Sequence, residues 1–95
     1  MLDKMKQMME IKKQADQLKR TLDGISVDVA EVPGIKVVIT GGQDFKSVEI
    51  DADLLKAENK KRFEQGLLRS LNAAIKKSQQ LAAEKMKSVM PGLPF

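Results

Sequence analysis

Four residue types are missing from this 95-residue chain: cysteine, histidine, tryptophan and tyrosine. Without cysteine there are no disulfides, thiolate metal sites or thiol nucleophiles. Without histidine the chain lacks the usual general base near neutral pH and the commonest metal ligand. The only aromatics are Phe45, Phe63 and Phe95. Binders of single-stranded nucleic acid stack bases on aromatic rings, so the chain is poorly equipped for that mode. Long apolar runs are lacking too. Nothing approaches the roughly 18 uninterrupted apolar residues of a membrane span. The opening Met1-Leu2-Asp3-Lys4-Met5-Lys6 has charges where a signal peptide would be apolar. The expectations are a non-enzymatic protein with no cofactor, metal, small-molecule substrate or membrane, resident in a cytoplasm.

What is present describes a helix-rich globular chain, with 42% hydrophobic and 32% charged residues. One domain over residues 1–95 is the expectation. So short a chain gains limited stability from one core, and dimerisation is a common remedy. The formal net charge of +4 is unevenly spread. Residues 1–22 hold six Lys or Arg against three acids, residues 23–51 two against six, and residues 52–95 nine against four. Two basic ends flank an acidic middle, and such patches attract polyanions that the average charge would not.

Apolar residues first recur at helical spacing: Met1, Met5, Met8, Ile11, Ala15, Leu18 and Leu22. The last five also fit a heptad seam, so this helix is expected to pack as a short coiled coil. Asp23-Gly24 should end it, with Gly24 in the left-handed cap conformation. The period then drops to two. Ile25, Val27 and Val29 alternate with Ser26, Asp28 and Ala30 as one strand. Val32-Pro33-Gly34 reads as a turn, Ile35–Thr40 as a second strand, Gly41-Gly42-Gln43-Asp44 as another turn, and Phe45–Ile50 as a third strand. The alternating Ile25/Val27/Val29, Ile35/Val37/Ile39 and Val48/Ile50 should build the sheet face under a helix, leaving Val38 on the other face to help a second subunit dock.

Asp51 suits the cap of a single helical turn at Ala52–Leu55, and Asn59, after a charged link, the cap of a second long helix. That helix carries Phe63, Leu67, Leu68, Leu71, Ala74, Ile75, Leu81, Ala82, Met86 and Val89 on a broad apolar stripe. Gly66 inside it costs about 1 kcal/mol relative to Ala, which points to a close backbone contact. Pro91–Phe95 is expected to be a short flexible tail. The fold class is α+β, in the order α-β-β-β-α, with a three-stranded antiparallel meander flanked by two long helices.

Two features carry functional information. The first helix bears Lys12, Lys13, Lys19 and Arg20, and the second bears Lys76, Lys77, Lys85 and Lys87. Each phosphate that a cation neutralises on a duplex releases counterions, so such helices gain affinity without reading sequence. The alternative is an ordinary solvated face. Met1, Met5, Met8 and Met9 form either packing or an adaptable partner surface. Asp51, Asp53 and Glu49 lack the spacing of a calcium loop, and Gly41-Gly42 matches no phosphate-binding motif.

In its order of elements the chain resembles the YbaB/EbfC nucleoid-associated proteins of bacteria. The likeness covers nearly the whole chain: Met5-Lys6-Gln7-Met8-Met9, then Ile35-Lys36-Val37-Val38-Ile39-Thr40-Gly41, Val48-Glu49-Ile50-Asp51 before Leu54-Leu55, Leu71-Asn72-Ala73-Ala74 and Glu84-Lys85-Met86. One departure is Glu31-Val32-Pro33-Gly34, where the family has a more open, Gly-rich turn. The resemblance implies a tweezer-like homodimer, located in the nucleoid, that binds double-stranded DNA with low sequence preference, organises the chromosome and influences transcription. It implicates both long helices in DNA contact, and the eight cations named above are chosen on them by charge and position. A different class also fits the residues: a helical protein-interaction module, such as a co-chaperone or complex subunit, that ignores DNA. A basic helix lying on anionic lipid is a third class, which the lack of Trp and Phe anchors on the first helix disfavours.

Overall fold

The computed structural model describes residues 2–89. The chain runs α1 (Leu2–Asp23), β1 (Ser26–Val32), β2 (Ile35–Thr40), β3 (Phe45–Ile50), two short 3₁₀ turns (Ala52–Leu55 and Ala57–Asn59) and α2 (Lys60–Val89). The strands form one antiparallel sheet in the order β1-β2-β3. This is the expected α+β arrangement, α-β-β-β-α, with the meander between two long helices. The proposed tail at Pro91–Phe95 lies outside the described residues.

Pairing follows from the two-residue period. Val29 opposes Val37, which opposes Val48, so these three side chains share one face of the sheet. On that face Val29, Ile35, Val37 and Ile39 are buried, and with Leu54 and Ala74 they make the core. α2 crosses this face over β1 and β2. What lets it approach is a row of small residues every fourth position: Gly66, Ser70, Ala74 and Ser78, all buried. A Cβ on Gly66 would lie 3.0 Å from Ile35 Cδ1 and 3.1 Å from Val32 Cγ1, the close backbone approach that a mid-helix glycine suggested. Ser78 Oγ donates to the Thr40 carbonyl at 2.8 Å, pinning α2 to the end of β2. Ser70 Oγ is fully buried and has no hydrogen-bond partner.

The turns hold by their own chemistry, with corrections. Gly34 has φ +87° in the β1–β2 turn, which glycine alone adopts without cost. β1 extends to Val32, past the expected alternation that ends at Ala30, because pairing resumes at Val32 opposite Ile35 after a register shift. The turn is therefore shorter than Val32-Pro33-Gly34. In the β2–β3 turn the left-handed residue is Gln43 (φ 69°), with Thr40 and Asp44 exchanging backbone and side-chain hydrogen bonds. Gly24 ends α1 without positive φ, its N–H donating to the Arg20 and Thr21 carbonyls. Asp51 precedes the first 3₁₀ turn but makes no side-chain cap bond. Asn59 closes a second 3₁₀ turn in place of the expected charged link, directly before α2, and its Nδ2 donates back to the Asp53 carbonyl at 2.7 Å.

Two larger corrections concern what is covered. Of the heptad seam on α1, only Leu18 and Leu22 are buried, while Met8, Ile11 and Ala15 stand exposed. α1 meets the rest of the chain at its C-terminal turns and projects from there, giving extents of 65 × 21 × 18 Å. β3 is the second case. Val48 shares the core-facing side with Val37, yet it is 45% exposed and Phe45 44%, because α2 does not extend over the third strand. Val38, on the opposite face, is half-buried between Asp28 and Ser47.

Candidate nucleic-acid interface

All eight cations selected from the sequence are exposed. On α1, Lys12 and Lys19 are seven residues apart, as are Lys13 and Arg20, so two turns of helix repeat the same pair of positions. This face points away from the buried side at Leu18 and Leu22. Asp16 falls in the middle of the group and lowers its local charge.

On α2, Lys76 and Lys77 border an open groove of about 480 Å³, together with Arg69, Asn72, Gln79 and Gln80, with Glu31 of β1 across it. Lys85 and Lys87 lie outside this groove, nearer the helix C-terminus, and the α1 group lies outside it as well. Arg69, outside the lysine-rich C-terminal half of α2, joins Lys76 and Lys77 at this groove. The signal was there: Arg62, Arg69 and Lys76 recur every seven residues, which on a helix is a single face.

Ion pairing removes few of the chain's cations from contact with a ligand. Three ion pairs occur among the described residues: Lys36–Asp28 at 3.9 Å, Lys56–Asp53 at 3.0 Å and Lys60–Glu64 at 3.8 Å. None includes any of the eight, nor Arg62 or Arg69. Among the described residues no carboxylate pairs with them, and cations left this way on helix surfaces are equipped to meet phosphates. Among the described residues no three His, Cys, Asp or Glu side chains come together as a metal site, and no helix is long and apolar enough to cross a membrane.

A second surface is apolar. Phe45 and Val48 of β3 stand open on the same strand as the half-buried Ile50. Leu54, Leu55, Ala57 and Phe63 border a further open groove of about 390 Å³ where the 3₁₀ turns meet the start of α2. On α1, Leu2, Met5, Met8, Met9 and Ile11 are exposed as well. Exposed apolar area on this scale in so small a chain marks a contact surface.

Comparison with known proteins gives consistent matches. Residues 1–93 match the family model described as the YbaB/EbfC DNA-binding family. A nucleoid-associated protein of Bradyrhizobium diazoefficiens is 32% identical over 93 residues, covering 97% of this chain and 88% of the relative. A nucleoid-associated protein of Hahella chejuensis is 35% identical over 92 residues, covering 88% and 84% respectively. The crystal structure of uncharacterized protein HP0035 from Helicobacter pylori has the same fold, with a TM-score of 0.77 over 87% of this chain and 88% of that one, at 19% identity.

Proposed function

The chain belongs to the YbaB/EbfC DNA-binding family, and from that premise we propose that it is a non-enzymatic, nucleoid-associated protein that binds double-stranded DNA through the cations of α1 and α2. The observation that carries this reading is the set of exposed cations on both helices that form no ion pair among the described residues: Lys12, Lys13, Lys19 and Arg20, then Lys76, Lys77, Lys85 and Lys87. DNA offers one negative charge per about 1.7 Å of its axis, and a helix advancing about 1.5 Å per residue sets its cations against several phosphates in succession. Phosphates are the same at every step, so this grip confers affinity with little sequence preference. A single domain spanning residues 1–95 does this work in the cytoplasm, at the nucleoid, where it organises the chromosome and modulates transcription by occupancy.

The working unit is a homodimer. Support comes from surface area: the chain exposes 7379 Å², whereas a compact monomer of 10.6 kDa would expose about 5,500 Å². Its radius of gyration is 18.3 Å, against about 12 Å for a compact chain of this length. The open face of β3 supplies an apolar surface for a second copy, and two-fold symmetry would present four basic helices to DNA.

The test is a gel shift with random-sequence duplex. Replacing Lys12, Lys13, Lys19 and Arg20 together by Glu is expected to abolish the shift while the circular dichroism spectrum and oligomeric state persist. Undiminished affinity would remove α1 from the contact surface.

A further inference from the structure

The exposed back of α2 differs from the basic face of α1 in its charges. Along Lys61, Gln65, Arg69, Asn72, Lys76 and Gln79 the helix itself carries no carboxylate, whereas Asp16 sits amid the α1 cations; the one acid bordering the groove of Arg69, Asn72, Lys76 and Gln79 is Glu31 of β1. Three of its exposed positions, Gln65, Asn72 and Gln79, carry amides that form no side-chain hydrogen bond among the described residues, and of these Asn72 and Gln79 border one groove with Arg69 and Lys76. Asn59 shows the contrast, since its amide is engaged with the Asp53 carbonyl.

An amide is a poor ligand for bare phosphate but a good one for a base edge. Asn or Gln can both donate to and accept from adenine in the major groove, a pairing that no lysine can make. The dimensions agree. An α-helix is about 10–12 Å across and the major groove about 12 Å wide. The elements packed on α2 are β1, β2, α1 and the 3₁₀ turns, and the back of the helix at Asn72, Lys76 and Gln79 is exposed. Asn72 and Gln79 are seven residues apart, a rise of about 10.5 Å, which spans about three base-pair steps of 3.4 Å. Arg69 and Lys76 flank them on the same face, so the amides would be held close to DNA by adjacent charge.

We propose that α2 lies with this back in the major groove, where Asn72 and Gln79 read base edges and give the protein a sequence preference, while α1 holds phosphates. The inference rests on the DNA-binding reading above and adds a division of labour between the helices. Asn72 and Gln79 are specificity residues. Arg69 and Lys76 supply affinity at the same site.

The experiment is selection of full-length protein on duplexes with a randomised centre, followed by sequencing of the bound fraction. Wild type is expected to enrich a motif with two A·T-specified positions about three base pairs apart. The Asn72→Ala/Gln79→Ala variant should bind the unselected pool within about two-fold of wild type, because no phosphate contact is lost. Its preference at those positions should fall by roughly five- to 150-fold, the range that one bidentate base contact supports. A Lys12→Gln/Lys13→Gln variant should do the reverse, losing affinity while keeping the motif. Binding of the pool by wild type without enrichment, or the same motif from the double variant, would overturn the assignment. Failure of wild type to bind the pool at all would refute the DNA-binding reading, and this inference would fall with it. Both substitutions are at exposed positions and introduce the best helix former, so the variant keeps its fold.

Discussion

Replacing Val48 by Glu should convert a dimer into a folded monomer. Val48 is 45% exposed on the core-facing side of β3, beyond the edge of α2, so a carboxylate there reaches water in an isolated chain. Its cost to the monomer should stay near 1 kcal/mol, about half the value of fully burying a valine. The dimer is affected differently. The chain exposes 7379 Å², roughly 1,900 Å² above the expectation for its mass, and a standard interface needs only about 800 Å² from each partner. If the β3 face supplies that area, two-fold symmetry places two carboxylates in one desolvated patch. Each costs several kcal/mol without a partner, and since tenfold in Kd is about 1.4 kcal/mol, dissociation should strengthen by about a thousand-fold or more. Sedimentation velocity reads this directly. Wild type should run at twice the 10.6 kDa chain mass and Val48→Glu at one chain mass, with helical circular dichroism unchanged. A monomeric wild type, or a variant that dimerises as tightly, would refute the argument.

The paired serines under α2 should respond in opposite directions. Ser70→Ala removes a buried hydroxyl that has no partner and should raise stability by about 1 kcal/mol, or about 4–8 °C in Tm. Ser78→Ala removes the donor to the Thr40 carbonyl and should lower it by a similar amount; calorimetry of both variants checks the signs. Gly66→Leu drives a large side chain into Ile35 and Val32, and urea denaturation should show a loss of about 1–3 kcal/mol with an unchanged m-value. Val37→Ala empties the centre of the core, where Val37 is fully buried between β1 and β3, and the same assay should show a loss of about 2–3 kcal/mol.

Most of the fold could be read from local pattern, because the physics behind it is local. Switching from a period near 3.6 to one of two, then back, located both helices and all three strands. Pro33-Gly34 marked a turn because no other pair sets φ negative and then positive so cheaply, and Gly66 marked the tight crossing that Ile35 and Val32 complete. The errors share one cause: periodicity names an apolar face and is silent on what covers it. Met8 and Ile11 keep perfect helical spacing on a projecting, uncovered stretch of α1. Val48 alternates with Ser47 and Glu49 and shares a face with Val37, yet only Val37 is under α2, since the crossing position of α2 is set by Gly66, Ser70, Ala74 and Ser78 rather than by anything in β3. β1 outran its expected end because Val32 pairs across a register shift, which no strand alternation displays.

The site was legible to a lesser degree. The eight cations stood out by charge and helix position, and their exposure follows from lying off the apolar stripe. Arg69 is less conspicuous than the lysines near the C-terminus, and only the seven-residue recurrence through Arg62, Arg69 and Lys76 sets it on one face with Lys76. Ion pairing was invisible in the sequence. Asp16 lies within helical reach of Lys12, Lys13, Lys19 and Arg20, yet it forms none of the three ion pairs among the described residues.

The central claim is that cations on two helices replace the counterions of a duplex, and salt dependence tests it most directly. Wild-type affinity for random-sequence duplex should fall linearly in a plot of log K against log salt, with a slope of about −5 to −7 for 6–8 phosphates contacted per dimer, or roughly three to four orders of magnitude between 50 and 200 mM. A slope near zero, or no binding of a folded sample in dilute buffer, would contradict it.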